Sequence, residues 1–522
     1  MSRVFHDFQL YKIAELQSHV LGCAAHRLYG ELLKMGLRAS CLVAIAVLGA
    51  AAMISGGATA APETVDLSLA KLAPVACPFH APARVRCSTL EVPENWSLGA
   101  GSKRIRILVA TVAAADSAAR LKDPIVLLPG GPGVSSLFSL PLIASSPAGR
   151  DRDIIVVESR GYGYSEPALS CNGVDDLAAC YRRWTAQGVD VEQYRSIPST
   201  HDVEALRRAL RLGPWNVLGV SFGAYYALQY ERLYPEALRS VTLDSGDTMQ
   251  AGYDWTRPST LNAFARVFDD CQADPACNKA YPDLRNRFIA TMRDAERSPE
   301  TYQGQPVTAA RIFDRLYLTM YYSFSLRFTP MLVDAAARKD YATLFASRET
   351  AESEGYGPFD PTRRSALGLN AATLCGDDNP SPGVQEARVP YKNPWPEDIK
   401  ADIRPEGWDF ARRCASWPVR PTPPELTGPV QSDLPTLLLS GSYDPICPTE
   451  YSEAIALHLD HPNLVVDPSS SHSVLASGNP CILQTYVDFL RDPHAPVRTG
   501  CALRIAPVDW AISSSGAPAE AP

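Results

Sequence analysis

No CxxC pair occurs anywhere in the 522 residues. Structural zinc is held largely by such closely spaced cysteines, so the absence argues against a zinc module. An excess of basic charge is also missing: 49 Lys and Arg face 57 Asp and Glu, for a net charge of −8. A nucleic-acid binder, or a protein adhering to anionic lipid, needs the opposite balance. No unit recurs with a period of about 20–50 residues, which argues against a solenoid or propeller. No glycine-rich turn is followed by G-K-[ST], so the phosphate cradle of a nucleotide-binding loop is excluded. No apolar run reaches the ~20 residues of a membrane span. What remains is globular: 46% hydrophobic and 20% charged is too apolar for a disordered chain. The length allows about three domains, or one large core carrying an insertion.

The longest apolar run, Cys41–Ile54, follows Lys34 and Arg38 and precedes Ala58-Thr59-Ala60. A basic flank, an apolar stretch and a small-residue cleavage site describe a secretory signal peptide, here residues 35–61. Residues 1–34 make an unusually long approach to it, and Met35 is the expected true start. Export fits the cysteines. Apart from Cys23 and Cys41 in the leader, ten of the remaining eleven fall into local neighbours: Cys77/Cys87, Cys171/Cys180, Cys271/Cys277, Cys375/Cys414 and Cys481/Cys501. Short spacings in an exported chain suggest disulfides, with Cys447 left over.

Short apolar runs bounded by turns read as buried strands: Ile105–Val112, Ile125–Leu128, Ile154–Val157, Asn216–Leu218 and Ser240–Leu243. Helical patterns lie between them, notably Asp202–Leu212, with Ser199 and Thr200 as expected caps, and Ala224–Leu233. Alternating strand and helix predicts an α/β fold around a parallel sheet. From 250 to 430 the pattern turns mainly helical. Strands return at Thr436–Leu439 and Asn463–Val466, and a helix at Cys481–Leu490. The late strands are too few to close a core alone. The expected organisation is therefore a core of 62–249 and 431–505, a helical insert over 250–430, and a disordered tail over 506–522.

The chemistry centres on Gly219-Val-Ser221-Phe-Gly223, between a strand and a helix. A nucleophile in so sharp a turn needs small neighbours, and the turn exposes its hydroxyl at the strand end. The helix start supplies a backbone N–H and partial positive charge for a developing oxyanion. A serine hydroxyl needs a base. Of nine histidines, His472 alone lies between the last strand and the last helix, where the base of such an arrangement belongs. Asp444, after the penultimate strand, is the candidate acid that orients the imidazole; Asp244, ending the strand after the serine, is its rival. The second oxyanion donor is expected in Leu128-Pro-Gly130-Gly131-Pro-Gly133, where glycines let backbone approach a substrate. Gly131 and Phe222 are the expected donors.

Together with Glu158-Ser-Arg160-Gly161-Tyr-Gly163-Tyr-Ser165, these motifs resemble the α/β-hydrolase serine exopeptidases, the prolyl and the secreted tripeptidyl aminopeptidases. The stretch Leu434–Cys501 is similar to the tripeptidyl aminopeptidase-like C-terminal region. Glu158 departs from the family's usual Asp, Pro129 from the His often found there in prolyl enzymes, and Cys447 from a frequent Thr. The resemblance implies an α/β-hydrolase sheet with helices on both faces and a helical cap, with Ser221, Asp444 and His472 as the catalytic triad. It implies cleavage of short peptides from a free N-terminus, with small-ester hydrolysis as the alternative and a dead binding scaffold as a third possibility. Peptides with a free N-terminus are the expected partners, with no nucleic acid, no stable membrane anchor and no metal or other cofactor. Asp247, Asp377 and Asp378 are carboxylates that could meet the substrate's ammonium. The expected location is secreted or periplasmic.

Overall fold

The computed structural model describes residues 65–128, 130–174, 176–248, 256–346, 361–363, 366–377, 389–402 and 410–512. The expected leader, its cleavage site, Cys23, Cys41 and Asp378 lie outside the described residues. The framework is a nine-stranded sheet in the order β1-β2-β3-β5-β4-β6-β7-β10-β11. Its strands are β1 (Lys71–Val75), β2 (Val85–Pro93), β3 (Arg104–Val112), β4 (Ile125–Leu128), β5 (Ile154–Val157), β6 (Trp215–Val220), β7 (Leu238–Asp244), β10 (Thr436–Gly441) and β11 (Pro462–Asp467). A separate hairpin, β8 (Glu300–Tyr302) with β9 (Gln305–Val307), lies in the helical insert. The sheet is parallel from β5 to β11 and antiparallel among β1, β2, β3 and β5. The expected mostly parallel sheet is thus observed, with its antiparallel strands at the first edge.

Strand side chains alternate between two cores, as a two-residue period dictates. On one face Val126, Ile155, Val217 and Val241 pack against the helices Ser196–Ala209 and Phe222–Leu233. On the other, Ile125, Leu127, Ile154 and Val156 pack against the strap Leu137–Ala148 and the helix Pro480–Arg491. Each parallel strand hands on to its next helix at the same sheet edge, and chemistry gathers there.

One expectation is corrected. The helix Ser196–Ala209 begins earlier than expected and buries Ser199 and Thr200 inside its first turns, so neither is its cap. The buried residues of 250–430 fall into more than one cluster. The helices Thr256–Ala273, Leu284–Arg297, Ala309–Tyr321 and Thr329–Ala337 share an aromatic core with Trp395. Leu369, Ala372 and Trp417, from the later part, pack instead with Tyr162, Leu169 and Tyr194 of the first half. The tail is not loose at its start: Trp510 is buried edge-on against Tyr443, and Asp509 pairs with Arg327. A single indole with an apolar home outweighs the polar residues that follow it.

All five local cysteine pairs are bonded as expected, and Cys447 is free and buried. Among the described residues no helix is long and apolar enough to cross a membrane.

Candidate active site

Ser221 follows β6 and precedes the helix Phe222–Leu233, with φ +56° and ψ −127°. Few non-glycine residues sit there, and such strain survives only where the surroundings enforce it. They do so here. The Ser221 N–H donates to the Asp244 carbonyl at 2.9 Å, and its own carbonyl accepts the Ala224 and Asp247 N–H groups at 2.9 and 3.2 Å. A Cβ on Gly219 would lie 2.4 Å from the Gly223 carbonyl oxygen, so the turn closes only around glycine.

The glycine-rich loop after β4 comes down on the serine. A Cβ on Gly130 would stand 2.9 Å from the Val220 carbonyl oxygen and 3.2 Å from Ser221 Cβ. Gly130, Gly131, Ser221 and His472 line one cavity of about 520 Å³. The Phe222 N–H opens its helix, ahead of the helix's own hydrogen-bond ladder.

His472 and Asp444 are joined. His472 Nδ1 lies 2.7 Å from Asp444 Oδ2, and both side chains are buried. The other carboxylate oxygen, Oδ1, accepts the Ile446 and Cys447 N–H groups at 3.0 and 2.9 Å, so the acid is locked from behind. Asp244, the rival, has a different task. It accepts the Val474 and Leu475 N–H groups at 2.7 and 3.0 Å and so tethers the loop carrying His472. Burial pushes its carboxyl up to about 6.

Sequence reasoning missed two neighbours. Tyr321 ends the helix Ala309–Tyr321, and its ring centre lies 4.4 Å from that of His472. Its carbonyl accepts the His472 N–H at 3.1 Å, and Ser323 Oγ accepts the Ser471 N–H at 2.9 Å. The second neighbour is Cys447, whose buried thiol partners the Ser221 side chain. Burial holds that thiol well above its usual range, so it stays protonated. No hydrogen bond joins Ser221 to His472, and His472 Nε2 is buried without a partner among the described residues. No periodicity could have found Tyr321; the departure from Thr at Cys447 was the one signal for the thiol.

Of the carboxylates considered for the ammonium, Asp377 is spent: it accepts the Ser196 N–H and the Thr422 hydroxyl, both at 2.7 Å. Asp247 accepts the Thr248 N–H at 2.9 Å. Burial, with Asp444 adding to it, raises its carboxyl to about 7. His201 is structural, with Nδ1 2.7 Å from the Tyr234 hydroxyl.

Residues 123–279 match the family model described as alpha/beta hydrolase fold, and residues 406–501 match that of TAP-like protein. The tripeptidyl aminopeptidase of Streptomyces coelicolor is 22% identical over 482 residues, covering 81% of this chain and 86% of that protein. Serine protease Hip1 of Mycobacterium bovis is 22% identical over 454 residues, covering 77% of this chain and 84% of that protein. A proline iminopeptidase of Neisseria meningitidis is 25% identical over 240 residues, covering 43% of this chain and 61% of that protein. This sheet and these two family matches give the chain the alpha/beta hydrolase fold, and over most of its length it is similar to peptidases.

Proposed function

We propose that this chain is an exported serine exopeptidase that releases short peptides from a free N-terminus through an acyl-enzyme on Ser221. One observation carries the reading: a strained serine at a strand end shares a cavity with an imidazole whose far nitrogen is held by a buried carboxylate. His472 takes the hydroxyl proton as Ser221 attacks the scissile carbonyl. The Gly131 and Phe222 N–H groups receive the oxyanion. His472 then protonates the leaving amine, and water frees the acyl group. Catalytic hydrogen bonds are often loose before substrate binds. In this reading the Ser221 hydroxyl leaves its thiol partner for the imidazole when substrate binds. Cleavage of peptides comes from the relatives named as tripeptidyl aminopeptidase and proline iminopeptidase. Export is supported by the five disulfides, which persist in oxidising compartments.

A fluorophosphonate should label the wild type and leave Ser221→Ala unlabelled; persistent labelling would move the nucleophile elsewhere. Tripeptidyl and aminoacyl anilides with free amino termini should be cleaved, and their N-acetylated counterparts should not. Turnover confined to p-nitrophenyl esters would reject the exopeptidase.

A further inference from the structure

Resting on Ser221 as nucleophile, we infer that the cavity beneath it is a deep apolar subsite that selects substrates with a long hydrophobic group on the acyl side of the cleaved bond. The cavity does not stop at the serine. It continues along the sheet face under the strap Leu137–Ala148 and is floored by Ile125, Leu127, Ile154 and Leu218. Ile125 pairs with Ile154 and with Asn216, five residues before Ser221 along β6. At ~3.3 Å per residue, the inner end lies roughly 16 Å from the nucleophile. A volume of about 520 Å³ is within the ordinary range for a small-molecule site.

The wall says what can enter. Three serines of the wall spend their hydroxyls elsewhere: Ser135, just before the strap, on Glu158, and Ser145 and Ser146 within it on the Leu142 carbonyl and the Ala148 N–H. Asp244 reaches the cavity, but its two oxygens hold the His472 loop. A peptide backbone threaded inward along the floor of Ile125, Leu127, Ile154 and Leu218 would leave its N–H and C=O groups unpaired on that side, which is costly. A hydrocarbon would not. The mouth has the same character, with Val134 47% and Leu142 51% exposed at its edge. The shared chemistry is an extended apolar chain, carried by a peptide side chain or by the acyl group of an ester.

Two substrate series separate these sources: free-amine anilides from alanyl through leucyl to 2-aminooctanoyl, and p-nitrophenyl esters from acetyl to decanoyl. In at least one series kcat/KM should rise about fourfold per buried methylene until the cavity fills. A rise with the anilides alone assigns a side chain, and with the esters alone an acyl chain. Ile154→Trp, which fills the inner end, should flatten the long members while leaving the shortest within about twofold. Should that variant not fold, Ala476→Trp on the exposed rim of the same cavity should depress the long members selectively. Flat or falling profiles in both series, with Ser221 still labelled by fluorophosphonate, would overturn the subsite and leave the nucleophile intact. A folded plugging variant with the wild-type profile would overturn its location. Loss of labelling would instead strike the proposed function.

Discussion

Glu158 is one of the residues at which this chain departs from the pattern it otherwise follows, and the structure accommodates the extra methylene through a neighbour. The carboxylate is fully buried and accepts the Ser135 hydroxyl at 2.5 Å and the Tyr164 N–H at 3.1 Å. It thus braces the strap beside the oxyanion loop. Room for it comes from Gly163, which has φ +52° and where a Cβ would fall 1.5 Å from Glu158 Oε2. Gly163→Ala should therefore cost more than about 2 kcal/mol, through strain and a displaced buried carboxylate. A clear drop in the urea midpoint is the expected reading; an unchanged midpoint would mean that Glu158 moves aside freely. At this scale the sequence was most legible where chemistry constrains residue type and chain order together. Ser221, Asp444 and His472 could be proposed from motif and succession, and the structure joins the last two. Tyr321 and Cys447 could not, because their contacts arise from where the insert and the Asp444 loop happen to fold.

Among the elements, the helices Leu367–Asp377 and Phe410–Ser416 are joined by Cys375–Cys414, which closes the widest disulfide loop, 39 residues. In the chain-entropy model a loop of that size is worth about 4 kcal/mol. Replacing both cysteines with serine should lower the thermal midpoint more than opening Cys271–Cys277, whose separation is only 6; equal losses would assign the effect to local packing. The parallel strands were legible because each is a short, continuous apolar run; β4 and β5 were found to the residue. β1 and β2 escaped notice. β1 is an exposed edge, and β2 mixes Arg, Ser, Thr and Glu among its apolar positions, so neither shows a continuous run. The division of the helical stretch was hidden for another reason. Periodicity reveals that a helix has an apolar face, not which distant segment covers it.

Taken whole, the molecule buries more acid than its surface charge suggests. Burial pushes Glu158, Glu231 and Asp247 up to about 7 and Asp244 to about 6. These groups hold protons in the folded state that the unfolded chain has already released by about pH 5. Stability should therefore fall as pH rises from about 4 to 7 and level off above that window. His201, lowered to about 4 by burial, acts in the opposite sense between about 4 and 6.5; four raised carboxyls outweigh one histidine. Urea unfolding should give a higher midpoint at pH 5 than at pH 8. Glu231→Gln should recover on the order of 3 kcal/mol at pH 8 with little change at pH 5. Equal pH dependence in both proteins would show that Glu231 is reached by water.

The main-chain link between Tyr321 and His472 reaches beyond the site it serves. Helical inserts of this kind invite transplantation, since exchanging one for another is an obvious way to redirect selectivity. Here the graft cannot be cut at the margins of the helical bundle alone. A donor insert that omits a counterpart to residues 321–323 would leave the recipient's imidazole unmoored.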